Sequence, residues 1–588
     1  MRRRKRARRP ASASLALLVI SAFILGACGG AQPTEIPAAT PIIESEEPIT
    51  ELAKAVDSQP YFVPGQVILI GNADAIEGRL GESSAVEARL KKIADFDLSY
   101  LDGYEPASPG AEELPFESVR IGKRLSPLVE AESLALRLYE IDAGNASVSE
   151  TVEVVNALNE GEDPDAVFAD LNYHVSTIPI SPCGDPFIIG GSPFIIGGSP
   201  FIIGGSPFII GGSPVTGAAA GTGLAEGSIF WDQWAFEVMA VAPAASEEAG
   251  AHIAVFDTSP FPPEGQRPIA AGDLLAAPTP GTWSLAWPTD VASSPVIVDG
   301  DQWKIEGAGL DFTLRVFHAP TFVGQVPRTV DLEGMGPIEP GDMRDHGLFV
   351  AGLAHAVSGE PELYLIQVLN EFGCGDLYTL TTAVHAFMQH MLNTAGSLET
   401  VVLNLSLGVP QPPPDFFQVL RDEGVGEAFI QALNQEIASL EQTMSAAYAR
   451  GAVVVAAAGN NSGVNTVEPA NLPADYPFVA GVEAENIRGQ RACYGNQGDL
   501  GAPGADGRRP NTQPSDFCEP IFGQCEPADG GCELGLVSLG LSSDSGYRFW
   551  VGSSFAAPLL SGWAADRLAQ GAIQGTVLAD MKTTFPPP

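Results

Sequence analysis

Short, almost wholly apolar runs recur through the second half of the chain, separated by stretches in which apolar positions return every three or four residues. HIAVFDT (252–258), LYLIQVLN (363–370), VVLNLSLG (401–408), AVVVAAAGN (452–460) and FVAGVEA (478–484) are the runs; LTTAVHAFMQHML and EAFIQALNQEIASLEQTMSAAYA are two of the helical stretches between them. Strands that do not alternate apolar with polar are covered on both faces. The pattern therefore predicts an α/β fold, a doubly wound, mainly parallel sheet with helices on either side. In such sheets function gathers at the carboxyl ends of the strands.

The first part of the chain has a different rhythm. Within residues 61–175, YFVPGQVILIG, ALRLYEI and AVFADLNYHV predict strands, AVEARLKKIADF a helix, and SVSETVEVVNALNEG a capped helix. Together they make a small α+β unit. Between the two parts, Pro-Phe-Ile-Ile-Gly-Gly occurs four times, beginning at Pro186, Pro193, Pro200 and Pro207. A seven-residue period suits a coiled coil, but Gly-Gly and Pro in every copy forbid a continuous helix. The segment is either a linker whose Phe-Ile-Ile is used or a spacer enlarged by tandem duplication.

Composition narrows the function classes. With 588 residues, 45% of them hydrophobic, the chain can bury a core in more than one domain. Seven basic residues (Arg2, Arg3, Arg4, Lys5, Arg6, Arg8 and Arg9) precede the apolar run LALLVISAFILGA and Cys28. That is an export signal. Leu25-Gly26-Ala27-Cys28 resembles the lipobox of bacterial lipoproteins, which implies lipidation of Cys28 and a membrane anchor facing outward; secretion is the other outcome. Loss of residues 1–27 takes the net charge from −42 to −49. So acidic a chain repels nucleic acid. In an oxidising compartment the six further cysteines default to disulfides, and the C-x6-C-x6-C spacing of Cys518, Cys525 and Cys532 predicts a stapled loop rather than a zinc site.

The strand ends carry the candidate chemistry. Asp257 ends AVFDTS, His346 opens the helical stretch HGLFVAGLAHAV, Asn460 ends VVVAAAGN, and Ser554 follows a Gly-Ser turn in VGSSFAAPLLSGWAADRLA. Each alone is an ordinary cap or turn. Together and in this order they resemble the subtilisin family of serine peptidases, over roughly residues 228–572. The resemblance implies Asp257, His346 and Ser554 as catalytic triad and Asn460 as oxyanion donor. It also implies Ser406, Leu407 and Gly408 as a strand that pairs with substrate, and Ala458 and Gly459 as lining of the primary side-chain pocket. AVFADLNYHV is similar to the closing strand of the propeptides that precede many such enzymes. The implied organisation is a signal peptide (1–27), a flexible spacer (28–60), a propeptide-like α+β domain (61–178), the repeat linker (179–227) and a catalytic domain (228–588).

The implied function is an extracytoplasmic serine endopeptidase made as a self-processing precursor, acting on polypeptides, with its own propeptide as inhibitor. The chemistry requires no cofactor, and residue matching places none of the family's structural calcium sites in this chain. Ser259, Leu348, Ser553 and Phe555 depart from the family's usual residues, and Leu348 and Phe555 bear on substrate preference and packing beside the site. These departures leave open a weak or inactive peptide-binding protein of the same fold; the apolar repeat leaves open a surface interaction protein. Pro558 is expected in the first helical turn, where its missing N–H loses nothing. The 89 positions from Asp257 to His346 are long for the family, and SPVIVDGDQWKIEG predicts an inserted hairpin there.

Overall fold

Val, Ile and Ala dominate strands β6 (His252–Asp257), β12 (Glu362–Gln367), β14 (Val401–Leu405), β15 (Val453–Ala457) and β16 (Ala480–Glu485), whose residues are almost all buried. In the computed structural model they lie with β9 (Phe312–His318) and β17 (Leu500–Pro503) in the order β17-β16-β15-β14-β6-β12-β9, all parallel. The expected doubly wound sheet is therefore present. The chain leaves β6 for one side of the sheet and returns through β14 on the other, so β6 stands at the topological switch point. The structure describes most of residues 62–101, 133–160, 167–176, 250–260, 343–409, 437–505 and 547–588, with shorter stretches elsewhere. The signal, the spacer, residues 185–212 of the repeat segment and the C-x6-C-x6-C loop lie outside the described residues.

The expected hairpin is found as β7 (Ile297–Asp299) and β8 (Gln302–Ile305), antiparallel to each other. β8 then pairs antiparallel with β9, so the insertion lengthens the large sheet at its edge. A short ribbon, β10 (Val330–Leu332) and β11 (Gly336–Ile338), follows.

Residues 62–176 build a second sheet from β1 (Phe62–Asn72), β2 (Leu90–Asp97), β3 (Leu134–Ile141) and β4 (Val167–Ser176). Helix α1 (Ala73–Glu82) and helix α2 (Val148–Asn159) accompany it. The latter starts with the expected cap: Ser147 accepts from the Glu150 amide while the Glu150 carboxylate accepts from the Ser147 amide. The helix expected over 85–96 is corrected. Most of that stretch is β2, an antiparallel edge strand beside β3 whose Lys91, Lys92 and Asp95 face solvent. Its one-sided apolar pattern fits either period, and pairing with β3 decides the outcome.

This second sheet is not free-standing. Its apolar face shares one continuous core with two helices of the large unit, α4 (Leu377–Thr394) and α5 (Ala438–Ala449); α3 (His346–Ser358) lies in the other main core. Asp170 of β4 accepts from the amides of Ser439 (2.7 Å) and Ala438 (3.3 Å), and so caps α5, which has no side-chain cap of its own. Asn172 donates to Asp376, the residue that caps α4, and accepts from the Tyr378 amide.

Burial pushes the Asp170 carboxyl up to about 6, although the Ser439 and Ala438 hydrogen bonds oppose the rise. The folded chain thus holds this proton at pH values where the unfolded chain has released it. Stability from Asp170 is full below its ordinary value near 3.8 and is lost as pH rises through 6. Asn keeps an acceptor for the shorter bond, from the Ser439 amide, and does not titrate. In a Ser554→Ala background, Asp170→Asn should gain on the parent by on the order of 1–3 kcal/mol between pH 4 and 6. Urea unfolding at several pH values measures this; a difference that does not change with pH would refute it.

Candidate active site

Asp257 is the last residue of β6 and is fully buried. The Thr258 amide donates to its Oδ1 (2.6 Å), and the Thr258 hydroxyl donates to the Met343 carbonyl and accepts from the Gly347 amide (3.1 Å). The end of β6 is thereby lashed to the start of α3. Gly347 makes the approach possible: a Cβ there would lie 2.9 Å from that of Asp257 and 2.8 Å from a Leu365 methyl.

His346, the first residue of α3, directs Nδ1 at both Asp257 oxygens, 2.8 and 2.9 Å away. A carboxylate only accepts, so Nδ1 carries a proton, and in the neutral ring Nε2 then holds the lone pair. The ring is held edge-on by Trp550 (centroids 5.2 Å apart) and against Phe555 (5.0 Å), and Phe349 packs behind both. Phe555 is thus a buried wall of the histidine's cage, and Leu348 is fully buried in the core. Phe555 therefore packs on the His346 ring, while Leu348 belongs to the core on that side of the sheet.

Trp550 ends β19 (Tyr547–Trp550), which pairs with β18 (Leu536–Leu539) and with β5 (Ser213–Pro214), the residues that close the repeat segment. Two residues on, Gly552 has φ 153°, a conformation that favours glycine, and opens α6 (Ser553–Ala569). The Ser553 amide donates to Asn460 Oδ1 (2.9 Å), and the Ser553 hydroxyl accepts from the Gly459 amide (3.1 Å). With its oxygen so engaged, Asn460 turns Nδ2 toward the turn before Ser554, about where a Cβ on Gly552 would be 3.5 Å away. Ser554 lies in the first turn of α6, at the positive end of the helix dipole, and is 4% exposed.

The expectation for Pro558 is corrected. It lies one turn beyond Ser554 inside α6, so its missing N–H is the one the Ser554 carbonyl would have accepted. Ser406 Oγ donates to that carbonyl instead (2.7 Å). Ser406 in turn accepts from Asn404, which accepts from Ser561 of α6. The segment Ser406-Leu407-Gly408 is therefore tied to the helix that carries Ser554.

Sequence reasoning missed one strand beside Ser406-Leu407-Gly408. β13 (Cys374–Asp376) pairs antiparallel with the end of β4, His174–Ser176. On the other side, the Ser176 amide donates to the Gly408 carbonyl (3.0 Å) and the Gly408 amide to the Ser176 carbonyl (2.9 Å). The end of β4 thus lies as a middle strand between β13 and Gly408. Only the glycine-flanked GCGD could have signalled β13. Ala458 and Gly459 lie nearby, the Asn471 amide donating to the Ala458 carbonyl. Among the described residues no cluster of three or more His, Cys, Asp or Glu side chains is arranged to hold a metal ion.

Part of the chain is similar to known proteins. Residues 329–578 match the model of the subtilase family, Peptidase_S8. Subtilisin Savinase of Lederbergia lenta is 30% identical over 198 residues, 33% of this chain and 59% of that one. An alkaline protease of Shouchella clausii is 30% identical over 33% of this chain and 42% of its own length. The chain thus spans about half the length of the curated relatives it matches. Among solved structures, a cold adapted subtilisin-like serine proteinase aligns over 58% of this chain and 84% of that one, at 18% identity and a TM-score of 0.31, a value too low to establish likeness by itself.

Proposed function

We propose that this chain is a subtilase that cuts polypeptides internally with Ser554 as nucleophile. The observation that carries the reading is the buried Asp257–His346 pair, with Nδ1 protonated and bonded to both carboxylate oxygens. His346 Nε2 takes the Ser554 proton as Oγ attacks the carbonyl carbon, and later gives it to the leaving amine. Asp257 holds the tautomer and stabilises the imidazolium. Asn460 Nδ2 and the Ser554 amide receive the oxyanion. Water then releases the acyl group by the same steps in reverse. Substrate binds extended between β13 and Ser406-Leu407-Gly408, so main-chain pairing gives affinity while Ala458 and Gly459 border the primary pocket.

The N-terminal unit acts as intramolecular inhibitor: the end of β4 takes the position a substrate strand would need. Maturation cuts after Val175 and before Gly227, with the repeat as the segment that connects the released unit to the enzyme. An oxidising compartment outside the cytoplasm would hold Cys374 and Cys493 in disulfides, as it would the other exported cysteines. Lipidation of Cys28 supplies the anchor; Cys28→Ala should abolish lipid labelling, and unchanged labelling would rule the anchor out. A peptide-binding protein without activity would have no use for the buried Asp257–His346 pair. The deciding test is a fluorophosphonate probe, expected to label Ser554 on the purified chain; no labelling, even after the N-terminal unit has been removed, would overturn the peptidase reading.

A further inference from the structure

Three strands of the large sheet end side by side: β9 at His318, β12 at Gln367 and β6 at Asp257, with Gln367 in register with both neighbours. His318 is 7% exposed, and its Nδ1 lies 2.6 Å from Gln367 Oε1. The other end of the same amide, Nε2, donates to the Leu369 carbonyl (3.2 Å). A carbonyl only accepts, which fixes the orientation of the amide, so His318 Nδ1 carries the proton and donates. Among the described residues His318 Nε2 is buried with no partner, and burial brings the ring down to about 4, so it stays neutral.

The bonds continue toward the groove. The amides of Val368 and Leu369 both donate to the Asp257 carbonyl, at 2.9 and 3.2 Å. Next in the chain, the Asn370 amide donates to the Cys374 carbonyl, and the Cys374 amide donates to Asn370 Oδ1 (3.0 Å). That turn opens β13. His318 therefore holds Gln367, Gln367 holds Leu369, and the chain at Leu369 and Asn370 sets where β13 stands.

We propose that His318 is a positioning residue of the substrate groove, acting through Gln367 to hold β13 as the outer wall for an extended peptide. It rests on the peptidase reading and adds a class of substrate that feels it: chains long enough to pair with β13. A single-residue ester reaches Ser554 without touching that strand.

His318→Ala removes the donor, whereas His318→Asn puts an amide N–H where Nδ1 stood. Gln367→Met cuts the same bonds from the other side while filling the volume. His318→Ala and Gln367→Met should raise KM for an extended peptide about tenfold, the size of one lost hydrogen bond. Ester turnover should stay within about twofold, and His318→Asn should restore KM. Equal losses on ester and peptide, or an Asn variant as poor as Ala, would overturn the proposal. Hydrogen exchange in the Ser554→Ala protein gives a readout free of catalysis. The Cys374 amide should exchange about tenfold faster in His318→Ala and recover in His318→Asn. An unchanged exchange rate would also overturn it, whereas the expected exchange in a protein that the probe never labels would overturn only the peptidase reading.

Discussion

Ser554→Ala should lower peptide hydrolysis on the order of 10⁶-fold and leave the chain as full-length precursor. The size follows from what remains: His346 keeps its bonds to Asp257, and Asn460 keeps its bond to Ser553, but no atom is left to attack. The side chain lost is one hydroxyl at the start of α6, and the bond from the Ser406 hydroxyl to the residue-554 carbonyl is untouched, so the fold should hold. Far-UV circular dichroism and unfolding midpoints equal to wild type would show this. The measurement is kcat/KM on a quenched peptide, with the size of the chain read on a gel. Hydrolysis equal to wild type, or normal processing, would eliminate Ser554 as nucleophile.

Asp257→Asn should cost roughly 10⁴-fold in kcat with little change in KM. Local bonding dictates why. Oδ1 already accepts from the Thr258 amide, a group that cannot accept in return. An asparagine must therefore keep its oxygen toward Thr258 and present its NH₂ to His346. That NH₂ stands 2.9 Å from Nδ1 and favours the ring that accepts there and carries its proton on Nε2, the atom that should take the proton from Ser554. Geometry survives and the tautomer is wrong. Steady-state kinetics above pH 7 test this; a loss below about tenfold would mean that His346 does not need Asp257.

The large sheet was legible because its strands are buried on both faces, so runs such as AVVVAAAGN carry no competing pattern. The candidates Asp257, His346 and Ser554 stood out because they lie at the end of a strand or the start of a helix, where a few neighbouring residues fix the setting. Contacts made across the chain were not. Asp170 caps α5 from 268 positions away, and no local pattern encodes that. Trp550 and Phe349 around His346 belong to separate elements brought together only by the fold. β2 was misread because an edge strand with exposed lysines satisfies a helical period as well as its own.

Pro558 and Ser406 carry a history as well as a geometry. While Pro558 is present, the Ser554 carbonyl has no donor from α6, and loss of the Ser406 hydroxyl would strand a buried acceptor at a cost of about 1–3 kcal/mol. With an ordinary residue at 558, the helix supplies the donor and the hydroxyl is redundant to that carbonyl. Mutational paths between the two states therefore keep a fixed order. The proline can be gained only after the serine is in place, and the serine can be lost only after the proline has gone.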